Sequence, residues 1–167
     1  MPRSPLLQGL PPIGSPDPRL LILGNMPSVL SLASGQYYGN PRNAFWRIIG
    51  ELYGCDPGAP YEQRTEALVR HGVAVWDVLK HCRRVGSLDS VIEPDSMVAN
   101  DFGTFFAARP GVELVYFNGA AAERNFARLV HPQPPAELRR LPSTSPAQTM
   151  RYAEKLATWS AALLGTR

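Results

Sequence analysis

A polar loop rich in amide and phenol side chains follows the first apolar run of the chain. The run is RLLILG at residues 19–24, and the loop that follows, 25–42, contains Tyr37, Tyr38 and Asn40. Aromatic rings can stack on a planar base, and a carboxamide can hydrogen-bond a base edge or hold a water molecule. Core tyrosines and turn asparagines would give the same composition, so composition alone leaves the role of this loop open.

Two later apolar runs also lead into polar side chains. Asn118 ends one of them, and Ser143, Thr144 and Ser145 follow another. The amide of Asn118 can both donate and accept hydrogen bonds, and hydroxyl and N–H groups near a helix start can bind a phosphate. The alternatives are a turn residue at Asn118 and simple capping of the last helix by the hydroxyl side chains.

Charged side chains add candidates whose roles stay open. Asp77 and Asp89 are the strongest carboxylate candidates, because a carboxylate facing the site could activate a water molecule, although such residues more often cap a turn or pair with an arginine. Arg42 and Arg84 lie near the polar loops and could contact phosphates, with a solvated face as the alternative. The histidines are scattered and the two cysteines form no CxxC pair, so no metal site is expected.

The composition indicates one domain with a substantial core. The chain has 167 residues, 44% of them hydrophobic, and a formal net charge of +3 that permits a polyanionic partner without demanding one. Residues 1–18 are broken by prolines and are expected to form an irregular N-terminal arm, not a signal peptide. No apolar run is long enough to span a membrane. We expect a monomeric, cytoplasmic protein with reduced thiols.

Strands that alternate with helices are needed to bring the polar loops together. Short apolar runs predict four strands, at 19–24, 73–76, 113–117 and 139–141. Helical spacing predicts helices at 43–52, 61–71, 100–108, 119–130 and 149–164, with Asn100 as the N-cap of the third. This order predicts an α/β fold over 19–167, a three-layer α/β/α sandwich with a central, mainly parallel four-stranded sheet. Ligands bind at the carboxyl ends of such strands, so the polar loops should gather at one edge.

The segment 24–46, GNMPSVLSLASGQYYGNPRNAFW, resembles the first motif of the uracil-DNA glycosylase superfamily. It is most similar to the family 6 hypoxanthine-DNA (DNA-deoxyinosine) glycosylases, which show a strand, a G-x-[MF]-P-S turn, a Q-Y-Y segment and P-R-N-x-F-W. Further similar segments are VWDVL at 75–79, GSLD at 86–89, LVYFNG at 114–119 and LPSTSPA at 141–147. The resemblance covers most of residues 19–164.

The resemblance implies an enzyme that removes a deaminated base, hypoxanthine, from double-stranded DNA. It would flip the nucleotide out of the duplex and attack its N-glycosidic bond with water, using no metal or cofactor. No lysine lies in the motif loops to form a Schiff base, so strand cleavage is not expected. The alternatives are a uracil- or mismatch-specific DNA glycosylase and a catalytically inactive nucleic-acid-binding member of the same fold.

The resemblance also assigns the catalytic role. Met26 stands where mismatch-specific relatives carry the catalytic carboxamide, and a methionine cannot orient a water molecule. The family 6 branch shares this apolar residue and uses a different asparagine, so the P-R-N match points to Asn43. Asn40 is the main alternative and Asn25 a weaker one, and Asn43 could instead only cap the helix that follows.

Contacts with the substrate follow from the same resemblance. Contacts with the flipped base are expected from Gly24, Asn25, Met26, Tyr38 and Asn118, with Tyr38 stacking on the base and Tyr37 packed beneath the loop. Contacts with the DNA backbone are expected from Arg42, Arg84, Ser143, Thr144 and Ser145. Some relatives insert a bulky side chain from the last loop into the base stack, but residues 144–147 contain none.

Overall fold

Mainly apolar runs form the three buried strands of this protein, and segments with apolar residues at helical spacing form most of its helices. The computed structural model describes residues 4–165, so the first three and last two residues of the expected arm and domain lie outside it. The strands are β1 Leu6–Gln8, β2 Leu20–Gly24, β3 Val73–Asp77, β4 Leu79–Arg83, β5 Val98–Ala99, β6 Leu114–Asn118 and β7 Glu137–Leu141. The helices are α1 Val29–Ser34, α2 Phe45–Tyr53, α3 Tyr61–Arg70, α4 Phe102–Ala108, α5 Ala120–Leu129 and α6 Tyr152–Gly165, with 3-10 turns at Asp89–Val91 and Pro94–Ser96.

The central sheet has four parallel strands in the order β3-β2-β6-β7. Leu20 lies opposite Val73 on one side and Leu114 on the other, and all five residues of β2 are buried. A strand that is covered on both faces needs no polar alternation, which is why a continuous apolar run encodes it. The predicted four-stranded parallel sheet is confirmed.

Helices cover both faces of this sheet. On one face Leu20 and Ile22 pack with residues of α2, α3 and α6, including Trp159. On the other face Leu21 and Leu23 pack with α4 and α5, including Phe126. Successive side chains of β2 therefore point alternately into two separate apolar clusters, one on each face of the sheet. The predicted three-layer sandwich is confirmed.

A second, antiparallel sheet differs from the sequence-based expectation. Its strands lie in the order β1-β4-β5, with Leu6 opposite Arg83 and Gln8 opposite His81. Residues 6–8 thus form a strand inside the segment expected to be an irregular arm. The pairing joins positions about 75 residues apart, and Leu7 packs against the apolar cluster beside Cys82, so tertiary contacts decide it.

Two local details also differ from expectation. The loop after β2 contains the short helix α1, which Ser28 caps by accepting from the Ser31 amide and which Gly35 ends in the left-handed conformation, at φ 68°. Asp101, and not Asn100, caps α4, with its side chain accepting from the Thr104 amide. Asn100 instead donates its side-chain amide to the Asp77 carbonyl at 2.8 Å. Within residues 4–165, no helix combines the length and apolarity that crossing a membrane requires.

Candidate active site

The loops that follow the four parallel strands enclose one cavity of about 290 Å³ at the carboxyl edge of the central sheet. Its lining residues come from the ends of β2, β3 and β6 and from the loops after β2, β4 and β7: Gly24–Ser28, Ser31, Tyr37, Tyr38, Asn40, Arg42, Asn43, Asp77, Ser87–Asp89, Asn118 and Ser143–Ala147. Of the residues that the sequence proposed for the site, all except Arg84 line this cavity. Parallel topology explains this convergence, because the strands all end at the same edge.

Tyr38 forms one wall of the cavity. Its backbone has φ 54°, an uncommon conformation for a residue with a side chain. Its ring stacks on Phe45, with centroids 4.0 Å apart and planes at 23°. Tyr37 lies in the core instead, since it is 3% exposed and donates its hydroxyl to the Leu10 carbonyl at 3.0 Å. Both tyrosines contribute to the lining of the cavity, and Tyr37 is the more deeply packed of the two.

Asn118 lies at the end of β6 with its side-chain amide largely occupied by protein groups. Its Nδ2 donates to the Tyr38 hydroxyl at 3.1 Å and to Thr144 Oγ1 at 2.9 Å. Its Oδ1 accepts from the Thr144 backbone N–H at 2.9 Å. Both amide hydrogens are therefore engaged, and only one lone pair of Oδ1 stays free for a ligand. The bonds tie the loops after α1 and β7 to the central sheet.

Asn43 lies at the cavity and also bonds the start of the following helix. Its Oδ1 accepts from the Phe45 backbone N–H at 2.9 Å. This bond forms just before α2, whose N-cap is Ala44, so Asn43 holds the turn before the helix and is not the cap that the alternative expected. Among the described residues its Nδ2 makes no hydrogen bond, so that group is available to the cavity. Asn40 shapes the turn before it: its Oδ1 accepts from the Arg42 N–H at 3.0 Å and its carbonyl from the Asn43 N–H at 2.9 Å.

Asn25 and Met26 line the cavity but are engaged elsewhere. Asn25 is buried, and its side chain donates to Asp89 at 3.0 Å and accepts from Asn125 at 2.9 Å. Met26 is 8% exposed and belongs to the apolar cluster on the α4 and α5 face. The side chain of Asn25 thus fixes the loop after β2 in place, and the thioether of Met26 offers the cavity an apolar surface.

Asp77 is a buried carboxyl group on the wall of the cavity. It is 3% exposed, and its Oδ2 has no hydrogen-bond partner among the described residues. The pKa of Asp77 is raised to about 7, chiefly by burial and also by the nearby Asp89, while the charge of Arg84 acts in the opposite direction. The sequence offered this residue only as one of two carboxylates that could face a site, and the end of β3 places it there.

The missing side chain of Gly24 makes room for this carboxyl group. A Cβ on Gly24 would overlap Asp77 Oδ1 and lie 3.0 Å from the Tyr38 hydroxyl. The glycine therefore allows the ends of β2 and β3 and the Tyr38 side chain to approach closely, and no special backbone angle is involved. Burial also raises the pKa of Asp89, whose carboxylate accepts from Asn25. Among residues 4–165, no cluster of three His, Cys, Asp or Glu side chains is arranged to hold a metal ion.

Arg84 requires a correction. It was expected to contact the DNA backbone, but it is 1% exposed and its Nη2 donates to the Pro27 carbonyl at 2.6 Å. A guanidinium inside the protein cannot reach a phosphate on the surface. Arg84 instead supports the turn at Pro27 and places a positive charge near Asp77 and Asp89.

A basic depression that the sequence did not reveal adjoins the cavity. It has a volume of about 480 Å³, shares Arg42, Asn43 and Thr144 with the cavity, and adds Arg47 and Lys155 without any carboxylate. Lys155 is buried and donates to the carbonyls of Ser145 at 3.2 Å and Gln148 at 2.8 Å. The sequence does not predict this position, because a lysine within a helix is normally exposed. Lys155 is buried only because the loop that contains Ser145 and Gln148 folds over it.

Leu88 is a second residue that sequence reasoning missed. It lines the rim of the cavity while 52% of it stays exposed. The hydroxyl of its neighbour Ser87 accepts from the Val29 N–H at 3.0 Å, which fixes the loop against α1. The GSLD segment was matched as a motif, but only the fold shows that its leucine points at the cavity rim.

Comparisons with known proteins found matches over most of the chain. The family model of the Uracil DNA glycosylase superfamily matches residues 11–163. A protein named hypoxanthine DNA glycosylase from Methanosarcina barkeri (strain Fusaro / DSM 804) is 39% identical over 113 residues, which are 67% of this chain and 70% of that one. One of the same name from Methanosarcina acetivorans is 37% identical over 116 residues, 69% of this chain and 72% of that one.

A solved structure extends the similarity to the fold. It is a solution NMR structure from Methanosarcina acetivorans, provisionally described as a uracil DNA glycosylase. It superposes with a TM-score of 0.80 at 33% sequence identity, and the match covers 95% of this chain and 96% of that chain. The shared fold includes the parallel strands whose ends build the cavity.

Proposed function

Because the chain belongs to the Uracil DNA glycosylase superfamily, we propose that it is a DNA repair glycosylase that hydrolyses the N-glycosidic bond of hypoxanthine in DNA. The observation that carries this proposal is the cavity where all four strand ends meet, walled by the Tyr38 ring and holding the free amide of Asn43. At about 290 Å³ it lies at the small end of ligand pockets, which suits a single extruded base. The two relatives named hypoxanthine DNA glycosylase support this choice of base.

The chemistry divides among residues that the cavity brings together. A base inside a duplex must be turned out of the stack before its bond to the sugar can be attacked. The Tyr38 ring, held flat by Phe45, offers the extruded base a stacking surface. The bond to deoxyribose then breaks with oxocarbenium character, so the protein must position a water molecule on the sugar and stabilise the departing base.

Asn43 is the residue to which we assign the positioning of water. Its Nδ2 is free, while its Oδ1 is fixed by the Phe45 N–H, so the side chain has one defined orientation at the cavity. A preorganised amide aimed at the reacting atoms stabilises a transition state without costly reorientation. The bond to the helix start and catalysis are compatible for this residue, since they use different atoms of one carboxamide.

We assign binding of the DNA backbone to the protein surface beside the cavity. Arg42 is exposed at its edge, and Ser143 and Ser145 lie in the loop that Lys155 holds from below. Thr144 was expected to contact the DNA backbone too, but it is 1% exposed and its N–H and hydroxyl bond Asn118, so it holds this loop in place. The basic depression with its cations and without carboxylates attracts phosphates, whose neutralisation supplies much of the affinity for DNA. We propose that the partner is double-stranded DNA with a damaged base. We also propose that the protein acts as a monomer and in the cytoplasm.

Leu88 is the residue to which we assign the wedge that fills the space left by the extruded base. Proteins that unstack DNA frequently insert an apolar side chain such as leucine between base steps. Leu88 is exposed, apolar and located at the rim of the cavity that receives the base.

Base release tests the proposed function directly. We expect the purified protein to release hypoxanthine from a duplex that contains one deoxyinosine, and to leave an abasic site that alkali cleaves. Duplexes with uracil or xanthine at the same position measure the preference among deaminated bases. No release from any of the three with enzyme in excess would contradict the assignment, and faster release of uracil than of hypoxanthine would favour a uracil glycosylase.

The catalytic role of Asn43 can be separated from its hydrogen bond to the helix start. A serine hydroxyl can also accept from the N–H two residues on, so Asn43→Ser should fold with nearly unchanged stability while losing the free amide. We expect the activation free energy of its single-turnover reaction on deoxyinosine to rise by about 2–4 kcal/mol, the usual cost of losing one preorganised donor. The rate falls accordingly. Asn40→Ala serves as the matched control and should stay within about threefold of the wild-type rate. An Asn43→Ser variant at full rate would leave this residue with the bond to the helix start alone.

The wedge assignment predicts a dependence on base pairing. Leu88→Ala should lower the rate on a duplex by about tenfold or more, because unstacking a paired base costs a few kcal/mol that the leucine helps to offset. On single-stranded DNA, where no stack needs filling, the same variant should match the wild type. Leu164→Ala, which removes an equally exposed leucine from the end of α6, is the control. Equal losses on both substrates would assign Leu88 to general binding.

A further inference from the structure

The site must recognise a base edge that carries a donor and an acceptor side by side. Hypoxanthine presents N1–H next to the C6 carbonyl, so a complementary protein group offers an acceptor beside a donor. Asn118 has the right chemistry, but its two amide hydrogens already bind the Tyr38 hydroxyl and Thr144 Oγ1. It retains one lone pair, which can meet the N1–H but not the carbonyl.

Asp77 is a buried carboxyl group of the cavity lining that lacks a hydrogen-bond partner. Its Oδ2 is fully buried and accepts no hydrogen bond from any described residue. Its Oδ1 takes the space that a Cβ on Gly24 would fill, where the ends of β2 and β3 lie side by side. Buried polar groups are normally satisfied, so an unpartnered carboxyl group in the lining of a cavity points to a partner that arrives with the ligand.

We propose that Asp77, as a neutral carboxyl group, recognises the lactam edge of the base by donating its O–H to the C6 carbonyl and accepting from N1–H. The inference rests on the proposed function and names the specificity-determining residue of that site. The two hydrogen bonds run in opposite directions between adjacent atoms, which fixes the base in one orientation. The ligand class is a six-membered lactam, which hypoxanthine and uracil share.

The surroundings of Asp77 favour the neutral form. The pKa of Asp77 is raised to about 7, chiefly by burial and also by the carboxylate of Asp89, from the 3-10 turn after β4. Arg84 acts in the opposite direction but makes no hydrogen bond to Asp77 that would hold it ionised. The phenols of Tyr37 and Tyr38, the other titratable groups that face it, have pKa values raised by burial and stay neutral.

An ionised Asp77 would serve the base poorly. It would offer two acceptor oxygens and no donor. One of these oxygens would face the C6 carbonyl oxygen at close range, and two acceptor oxygens repel each other. The other role open to this carboxylate is activation of the attacking water, which requires the ionised form. The two roles therefore predict different rates for a variant that cannot ionise at this position. The rate should be kept if Asp77 recognises the base and lost if it activates the water.

Asp77→Asn separates these roles. Asparagine keeps the size of the side chain and supplies the same pair of groups, an N–H donor and a carbonyl acceptor, without titrating. We expect this variant to keep the single-turnover rate on deoxyinosine within about fivefold of wild type near neutral pH. The wild-type rate should fall as the pH rises through about 7, because the donor is lost, while the rate of the variant stays flat.

Asp77→Leu fills the same space without hydrogen bonds. We expect it to lose about 100-fold in rate on deoxyinosine, since a site built to hydrogen-bond its substrate suffers when the pair is removed. On 2′-deoxynebularine, a purine without the C6 oxygen and the N1 hydrogen, the same variant should lose less than about threefold relative to wild type. Asp95→Asn, an exposed carboxylate outside the cavity, is the control. Thermal unfolding checks that each variant is folded.

The outcomes are decisive in either direction. A large loss of rate in Asp77→Asn, or a wild-type rate that rises through neutral pH, would overturn the inference in favour of water activation. Equal losses for Asp77→Leu on both substrates would overturn it in favour of a structural role. Affinity for a duplex with uncleavable 2′-fluoro-2′-deoxyinosine gives a readout independent of catalysis: Asp77→Leu should bind more weakly and Asp77→Asn should not. A wild type that binds this duplex but releases no base would refute the proposed function alone.

Discussion

A carboxyl group enclosed by protein, with one oxygen left without a partner, is the constraint around which the cavity is built. Asp77 cannot ionise freely there, because moving a charge out of water is costly unless the charge is paired. Its pKa, raised from an ordinary value near 3.8 to about 7, means that the folded state holds a proton that the unfolded chain has released. The contribution of Asp77 to the free energy of unfolding is therefore fully present below about pH 4 and is lost as the pH rises toward 7. Under neutral conditions this buried carboxyl group opposes folding. A residue that lowers stability in this way is a candidate for function.

The neighbouring residues make this arrangement possible. Gly24 gives up a side chain so that β2 and β3 can end side by side around the carboxyl group. Arg84 and Asn25 hold the loop after β2 from the other side, through the Pro27 carbonyl and through Asp89. Asn118 fixes Tyr38 and Thr144, which close the cavity from the remaining strands. Several polar groups that look like ligand contacts in the sequence thus hold the walls, and Asp77 and Asn43 keep free atoms for a substrate.

The sequence predicts the central sheet and the location of the site well, because both follow from local patterns. Strands such as 20–24 are continuous apolar runs, and the contiguous motif around Asn43 lies in a loop whose position the parallel topology fixes. The pairing of β1 with β4 was not predictable in this way, since a three-residue strand gains its stability from a partner far along the chain. The same holds for Arg84 and Lys155, whose burial depends on loops that fold over them. Asp77 could be named as a carboxylate from the sequence, but its isolation from partners is a property of packing.

The titration of Asp77 itself tests this account most directly. The carboxyl carbon can be followed by ¹³C NMR in the free protein and in complex with a duplex that carries uncleavable 2′-fluoro-2′-deoxyinosine. The account predicts a midpoint near pH 7 in the free protein and a higher midpoint in the complex, since a lactam that accepts the O–H stabilises the protonated form. A midpoint at the ordinary value for aspartate, or one that falls when the duplex binds, would contradict it.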